Sequence, residues 1–465
     1  MKPQINADRR RSGSLPNALV AVLIAAAGAG VYAAQPADVT VAFVNVSVIP
    51  MDRETVLADQ TVVIRGGTIV WIGPAAKAQV PAGATRIDAR GKYLIPALAE
   101  MHAHVPGGQA SDSAMERVLF LYAANGIGTI RGMLGHARHL PLRDRLAKGE
   151  LFGPRLWTSG PSFNGNSVTS PASAAQMVKD QKAAGYDFLK IHPGVSREAF
   201  DAMDATADSL GITYSGHVPA GVGLYRALEA KYATIDHLDG YVEALAPAPS
   251  TSSGQAAPAS QTFGLNLVTT ADESTIPDLV AKTKAAGVAQ VPTEILLENW
   301  LGTQSAESMA EWPEMKYAMA GEVQKWTEIK KKYEQVPAGA RQKLIAIRRR
   351  LIKDMHAGGV PLLLGSDAPQ IWNVPGFSAH RELGTYVASG LTPYQALTTG
   401  TRNVAAFFNI DKEAGTVTAG KRADLILLDA NPLADIANTT KIAGVMLGGR
   451  WMSQGDIRKR LDAGS

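Results

Sequence analysis

Apolar and polar positions divide the chain into two patterns. From residue 39 to about 89 the apolar residues come in short β-branched runs, 39–44, 61–64 and 68–72, broken by Gly66-Gly67 and Gly73-Pro74. Runs punctuated in this way predict a small antiparallel β unit. Residues 423–428 and 443–450 repeat the style near the other end. Together the two parts predict one small β-sandwich, composed of residues 38–92 and 412–458.

Between them, strand-like runs alternate with helical stretches. Strands are predicted at 93–104, 126–131, 155–160, 187–192, 213–217, 234–237, 288–293 and 360–367, with helices over 114–125, 171–184 and 197–209 among the connections. Eight such units within residues 93–411 predict an α/β fold, a (β/α)8 TIM barrel. Two stretches interrupt the alternation. Residues 247–261, rich in Ala, Pro and Ser, read as a loop excursion. Residues 305–357 read as a charged helical insert placed to cover the barrel mouth. Its runs Lys330-Lys331-Lys332 and Arg348-Arg349-Arg350 read as solvated helix faces.

Composition narrows the chemistry. The 465 residues carry a formal charge of +4, and Lys2, Arg9, Arg10 and Arg11 against Asp8 place +3 of it in the first 37. The remainder carries +1, which gives no support to a nucleic-acid surface. Residues 1–37, a basic segment followed by the apolar stretch 18–33, predict a cleaved signal peptide and an exported, periplasmic or secreted protein with no membrane association afterwards. The chain has no cysteine. Any metal it holds must therefore be bound by nitrogen and oxygen.

The predicted strand ends carry an unusual set of polar residues. His102 and His104 close the first strand in a His-x-His spacing that points both imidazoles to one side. Lys190 stands at the end of the fourth strand, His217 of the fifth, His237 of the sixth and Asp367 of the eighth. In such barrels the strand C-termini form the active site. Each residue alone has an ordinary reading as a capping or snorkelling group. Six such coincidences at strand termini point instead to a shared site, for which imidazole and carboxylate are common metal ligands. His192, two residues beyond Lys190, is a candidate to reach the same site. Tyr241 is a candidate for a substrate carboxylate or oxyanion, with core packing as the competing reading. His380 is a candidate for support behind the site, and His136, His139 and His356 read as surface or helix residues.

The order His-x-His, Lys, His, His, Asp resembles the metal-dependent amidohydrolase superfamily, in its imidazolonepropionase-like and prolidase (dipeptidase) branch. Stretches 126–131, 234–237, 365–369, 390–397 and 419–425 carry the same resemblance. It implies two divalent ions, with zinc suited to the ligand set. His102, His104 and Asp367 would hold one, His217 and His237 the other, and a carboxylated Lys190 would bridge both. Water activated between the ions would attack an amide carbonyl, and Asp367 would carry its proton to the leaving nitrogen. The implied partner is a small-molecule amide or peptide, a dipeptide or N-acyl amino acid, with self-association into a homo-oligomer left open. The alternatives are a cyclic (imidazolone-type) amide hydrolase and a non-catalytic binding protein on the same fold. The sequence departs from the family pattern at Ala97 and at Glu100, which shares the strand face of the two histidines.

Overall fold

The computed structural model describes residues 39–246 and 263–463. The expected export segment 1–37 and the stretch 247–261 lie outside them. Strands β1 (Thr40–Val48), β2 (Leu57–Arg65) and β3 (Thr68–Pro74) form an antiparallel meander. Gly66 and Gly67, at φ 54° and 78°, supply the left-handed pair that a two-residue hairpin turn needs. The first half of β1 also pairs in parallel with β4 (Thr85–Asp88), and its end with β5 (Tyr93–Pro96).

The run 93–104, expected to be one strand, is two. Ala97 N donates to Asp424 O at 2.8 Å, whereas Leu98 N donates to Gly126 O at 3.0 Å. Consecutive residues thus bond into different sheets, so β5 belongs with the terminal strands and β6 (Leu98–Ala103) begins afresh.

Strands β6, β7 (Ile127–Gly132) and β8 (Arg155–Thr158) form one parallel sheet. Strands β9 (Leu189–Ile191), β10 (Tyr214–Gly216), β11 (Thr234–Asp236) and β12 (Ala289–Val291) form another. Every residue of β6, β7 and β9–β12 is buried, as parallel strands covered by helices on their faces require. A parallel bridge from Ser159 to Phe188 links β8 to β9. The expected eighth strand is not a regular one. Residues 361–368 nevertheless run between β12 and β6: Leu363 N donates to Gln290 O (2.9 Å), Met101 N to Leu364 O (2.7 Å) and Asp367 N to His102 O (2.9 Å). The ladder is irregular because Leu364 N turns instead to Thr399 O (3.0 Å) and Asp367 adopts φ 65°. The intervening helices follow familiar boundary chemistry. Pro171–Ala184 starts on a Ser170–Ser173 capping box with proline in its first turn and stops at left-handed Gly185.

The chain closes with β13 (Leu425–Leu428), β14 (Ile442–Leu447) and β15 (Arg450–Ser453). They share one continuous eight-stranded sheet with the first strands, in the order β15-β14-β13-β5-β1-β2-β3 with β4 beside β1. Phe43, Val46, Val62, Leu94, Leu425 and Met446 are among the residues of its own apolar cluster.

The insert contains helices Ala306–Ala310, Glu322–Glu334 and Ala338–Gly358. Its charge runs are not wholly solvated, contrary to expectation. Lys330 is fully buried and donates to Gly302 O at 2.8 Å. Arg348 is buried and paired with Glu294 Oε2 at 2.8 Å. A charge run on a helix puts successive residues 100° apart, so one member can face inward while its neighbours face water.

Candidate metal centre

His102 leaves the buried end of β6 and His104 follows just beyond it. Lys190 projects from the middle of β9, His217 and His237 directly follow β10 and β11, and Asp367 comes from the 361–368 segment. Asp367 is their meeting point. Its Oδ1 lies 2.6 Å from His104 Nε2 and 3.5 Å from His102 Nε2, and its Oδ2 lies 3.8 Å from His237 Nε2. Lys190 Nζ is 3.4 Å from His102 Nε2. Ligand atoms of His102, His237 and Asp367 all fall within 4.8 Å of one another. His217 joins the group through ring stacking on His237, with centroids 4.4 Å apart.

Two glycines make room for this convergence. At Gly216 (φ 127°) a Cβ would stand 2.4 Å from Ile191 O and 2.9 Å from Lys190 Cδ. At Gly365 it would stand 2.4 Å from Val291 Cγ1 and 2.9 Å from His102 N. Side chains at either position would displace a residue of the site.

Oxygens stand behind three of the rings, hydrogen-bonded to Nδ1 of His217 and His237 and facing Nδ1 of His102 as a close ion-pair contact only. His102 Nδ1 lies 2.9 Å from Asp236 Oδ2, His217 Nδ1 lies 2.7 Å from Asp239 Oδ2, and His237 Nδ1 lies 2.7 Å from Thr293 Oγ1. Binding of Nδ1 from outside leaves Nε2 to face inward, the arrangement by which metal-ligating imidazoles are held. Asp236 is itself held by Arg131, whose Nη2 lies 3.3 Å from Asp236 Oδ1 and whose Nε donates to Met101 O at 2.7 Å. Nothing in the sequence alone marks Arg131, Asp236, Asp239 or Thr293 for this role. Asp236 could have been suspected from its place next to His237, whereas a threonine in Pro292-Thr293 and an aspartate before Gly240 look like ordinary turn residues.

Burial sets the protonation states. Desolvation holds His102 and His237 well below the usual imidazole range, although Asp367 opposes the shift at His102, and so favours the neutral ring that a ligand needs. Burial also lowers Lys190, although Asp236 and Asp367 oppose the shift. For Asp367 burial favours the protonated acid, but His102, His104 and Lys190 outweigh it and hold the carboxyl well below the ordinary range. His237 Nε2 is buried and has no hydrogen-bond partner among the described residues. A buried lone pair turned toward an ionised carboxylate is poorly placed for structure alone. The same atom, with the nitrogen and oxygen donors around it, fits a divalent cation.

The remaining candidates separate clearly. His192 does reach the group, stacking on His217 at 5.2 Å, and burial together with Lys190 pushes it down to about 2. Tyr241 does not: it is fully buried in the core, its hydroxyl 2.8 Å from Thr283 Oγ1. Packing therefore accounts for it. His380 meets the Asn125 carbonyl at 3.0 Å and touches none of the six. His139, expected as a surface or helix residue, begins a helix but is buried, with Nε2 3.1 Å from Pro106 O. Glu100 does not turn into the site beside the histidines. It reaches to the 361–368 segment, accepting from Ser366 N at 2.6 Å and Ser366 Oγ at 2.7 Å. Burial raises its carboxyl to about 8 against those hydrogen bonds. Glu100 thus fastens β6 to the segment that carries Asp367.

Contacts to the backbone of the site reach it from the insert. Arg348 Nη1 donates to His237 O at 2.7 Å and Nη2 to Pro292 O at 3.2 Å, while Nε holds Glu294. His237 and Thr293 both sit at positive φ, 62° and 47°, where non-glycine residues are strained. Arg348 ties these two turns together.

Imidazoles and a carboxylate gathered at the ends of parallel strands form a group that could hold a metal ion. Residues 93–452 match the model of the amidohydrolase family, and the chain belongs to that family. Its fold is shared by a putative prolidase from Bifidobacterium longum, at a TM-score of 0.64 and 22% identity over 92% of this chain and 100% of that one. An adenine deaminase from Nitratidesulfovibrio vulgaris (strain DP4) is 30% identical over 168 residues, which are 32% of this chain and 28% of the deaminase. An imidazolonepropionase from Mycolicibacterium smegmatis is 38% identical over 76 residues, 16% of this chain and 19% of that protein. These curated relatives are thus matched over less than a third of their own length.

Proposed function

We propose that this chain is an exported, binuclear, metal-dependent hydrolase of amide C–N bonds, acting on dipeptides or N-acyl amino acids. The observation that carries the reading is the convergence of His102, His104, Lys190, His237 and Asp367 on one buried point, with His217 stacked at its edge. The parallel segments β6–β12 and 361–368, joined in turn by ladders and by the bridges at Ser159–Phe188, Gln290–Leu362 and Ala103–Ala368, support a (β/α)8 barrel with this point at its mouth. The donor set suits zinc.

His102, His104 and Asp367 would hold one ion and His217 and His237 a second, with Lys190 carrying a carboxyl group between them. Bound divalent ions supply Lewis acidity and a water of lowered pKa. The chain's own part is orientation and proton handling. Asp236, Asp239 and Thr293 fix the imidazoles, and burial favours the neutral amine that carboxylation of Lys190 requires. Asp367, ionised and within reach of the reacting region, accepts a proton and delivers it to the leaving nitrogen.

The decisive experiment measures metal content and turnover together. Two divalent ions per chain, hydrolysis of dipeptides or N-acyl amino acids, and loss of both on Lys190→Ala with partial rescue by small carboxylic acids are expected. Less than one ion per chain after purification, or undiminished turnover in the Lys190 variant, would refute the reading. The similarity to an adenine deaminase and an imidazolonepropionase favours cyclic amides or amidines as the second reading, so adenine and an imidazolone belong in the same assay.

A further inference from the structure

His237 is the inner end of a row of aromatic side chains. Ring centroids run from His237 to Phe263 at 6.1 Å, from Phe263 to Trp300 at 5.6 Å, and from Trp300 to Tyr333 at 5.7 Å. His237 is buried, whereas the three that follow are half-buried. The row therefore joins the buried metal-binding groups to three partly exposed rings.

Its members come from separate parts of the chain. Phe263 precedes the turn Leu265–Leu267, Trp300 lies in helix Glu294–Leu301 and Tyr333 in helix Glu322–Glu334. The spacing is thus not a by-product of one amphipathic helix. Phe263 is held at φ 52°, a left-handed conformation that strains a bulky residue. Gly302 O, at the end of the Trp300 helix, accepts from Lys330 Nζ at 2.8 Å and Arg341 Nη1 at 3.1 Å. Those two residues, from the two long insert helices, hold the end of the helix that carries Trp300.

We propose that Phe263, Trp300 and Tyr333 form the apolar subsite of the hydrolytic centre and receive an aromatic or large branched side chain of the amide substrate. The inference rests on the proposed amide hydrolysis and narrows its substrate class. Half-buried rings give a substrate ring large contact area with little entropy to lose, and edge or offset contacts favour aromatic over small side chains. With no charged member, the row selects by size and polarity. The half-buried insert residue Tyr333 then determines specificity from outside the barrel.

The test compares the metal-loaded full chain acting on N-acetyl-L-phenylalanine and on N-acetylglycine. The ratio of their kcat/KM values is expected to favour phenylalanine by at least about tenfold. Phe263→Ala and Tyr333→Ala should each lower that ratio about tenfold, mainly through KM, with unchanged melting temperature confirming the fold. A wild-type ratio near one, or variants that slow both substrates equally, overturns the subsite. Direct binding of L-phenylalanine and glycine by calorimetry separates this outcome from failure of the proposed activity. If neither amide is cleaved, the hydrolase reading falls. Phenylalanine binding that weakens in Phe263→Ala still upholds the subsite, and absent or unaltered binding rejects it.

Discussion

Thr293 holds His237 by a single proton. Thr293 Oγ1 gives its own hydrogen to Pro292 O at 2.8 Å and so can only accept from His237 Nδ1, 2.7 Å away. The tautomer follows: Nδ1 carries the hydrogen and Nε2 presents a bare lone pair toward Asp367. Thr293→Val keeps the shape and removes the acceptor. Metal affinity at this imidazole is expected to fall about 10–100-fold, as for other lost outer partners. Competition titration against a metal-chelating dye would show it, and unchanged affinity would mean the ring is fixed by packing alone.

Asp236 and Asp239 play parallel parts in unlike surroundings. Asp236 is fully buried and faces buried Arg131, while the Asp239 side chain keeps 13% of its exposure. Asp236→Asn leaves Arg131 without its carboxylate and should cost about 3–5 kcal/mol of stability. Asp239→Asn should lower metal affinity with a stability loss of about 1 kcal/mol. Urea denaturation of the two metal-free variants makes the comparison, and equal losses would contradict it.

Arg348 and Glu294 are both buried, so removing either leaves a charge without its partner. Arg348→Met is predicted to destabilise by about 3–5 kcal/mol, and adding Glu294→Gln should recover part of that loss. A double-mutant cycle with no coupling would show that Arg348 acts through its two carbonyl contacts alone.

Glu382 gives the fold a pH dependence. Burial pushes its carboxyl up to about 8, against donation from Ile295 N and Glu294 N. Through neutral pH the folded chain keeps a proton that the unfolded chain releases near 4.5. The associated stability is complete below pH 4.5 and declines as pH rises toward 8. Below pH 6.5 the buried histidines act in the opposite sense; His380, for example, is pushed down by burial to about 4. The glutamates are therefore best seen from pH 6.5 to 8. Glu382→Gln should flatten the fall of stability there by roughly one proton, about 1.4 kcal/mol per pH unit. Thermal melts across the window provide the check, and parallel profiles would rule out its protonation.

Tyr241→Phe separates core from site. Loss of the bond to Thr283 should cost about 1 kcal/mol and leave kcat/KM unaltered. A large change in KM would return Tyr241 to the substrate.

The ligand-type residues were legible because each interrupts an apolar run at its end, where packing alone has no use for a histidine or a buried lysine. Their orienting partners were not. An aspartate before glycine, or a threonine after proline, has a sufficient local explanation, and only tertiary structure shows which oxygen meets which Nδ1. Arg348 was hidden by its neighbours Arg349 and Arg350, since a run of like charge conceals the one member that faces inward. Ala97 is visible as a departure from the family pattern, but a single alanine in an apolar stretch carries no sign that the backbone changes sheets there. Glu100 was visible as a departure, and its meaning lay in Ser366, distant in sequence.

The continuous sheet has a consequence in time. Strand β13 pairs with β5, at Ile426 with Ile95 and at Leu427 with Leu94, and stands between β5 and β14. During synthesis, β1 to β5 emerge more than three hundred residues before the neighbour that completes their sheet. Until then β5 offers an open edge, the kind that recruits stray strands. The first strands to be made are among the last to be closed, so the chain must fold with that edge left open until its end has emerged.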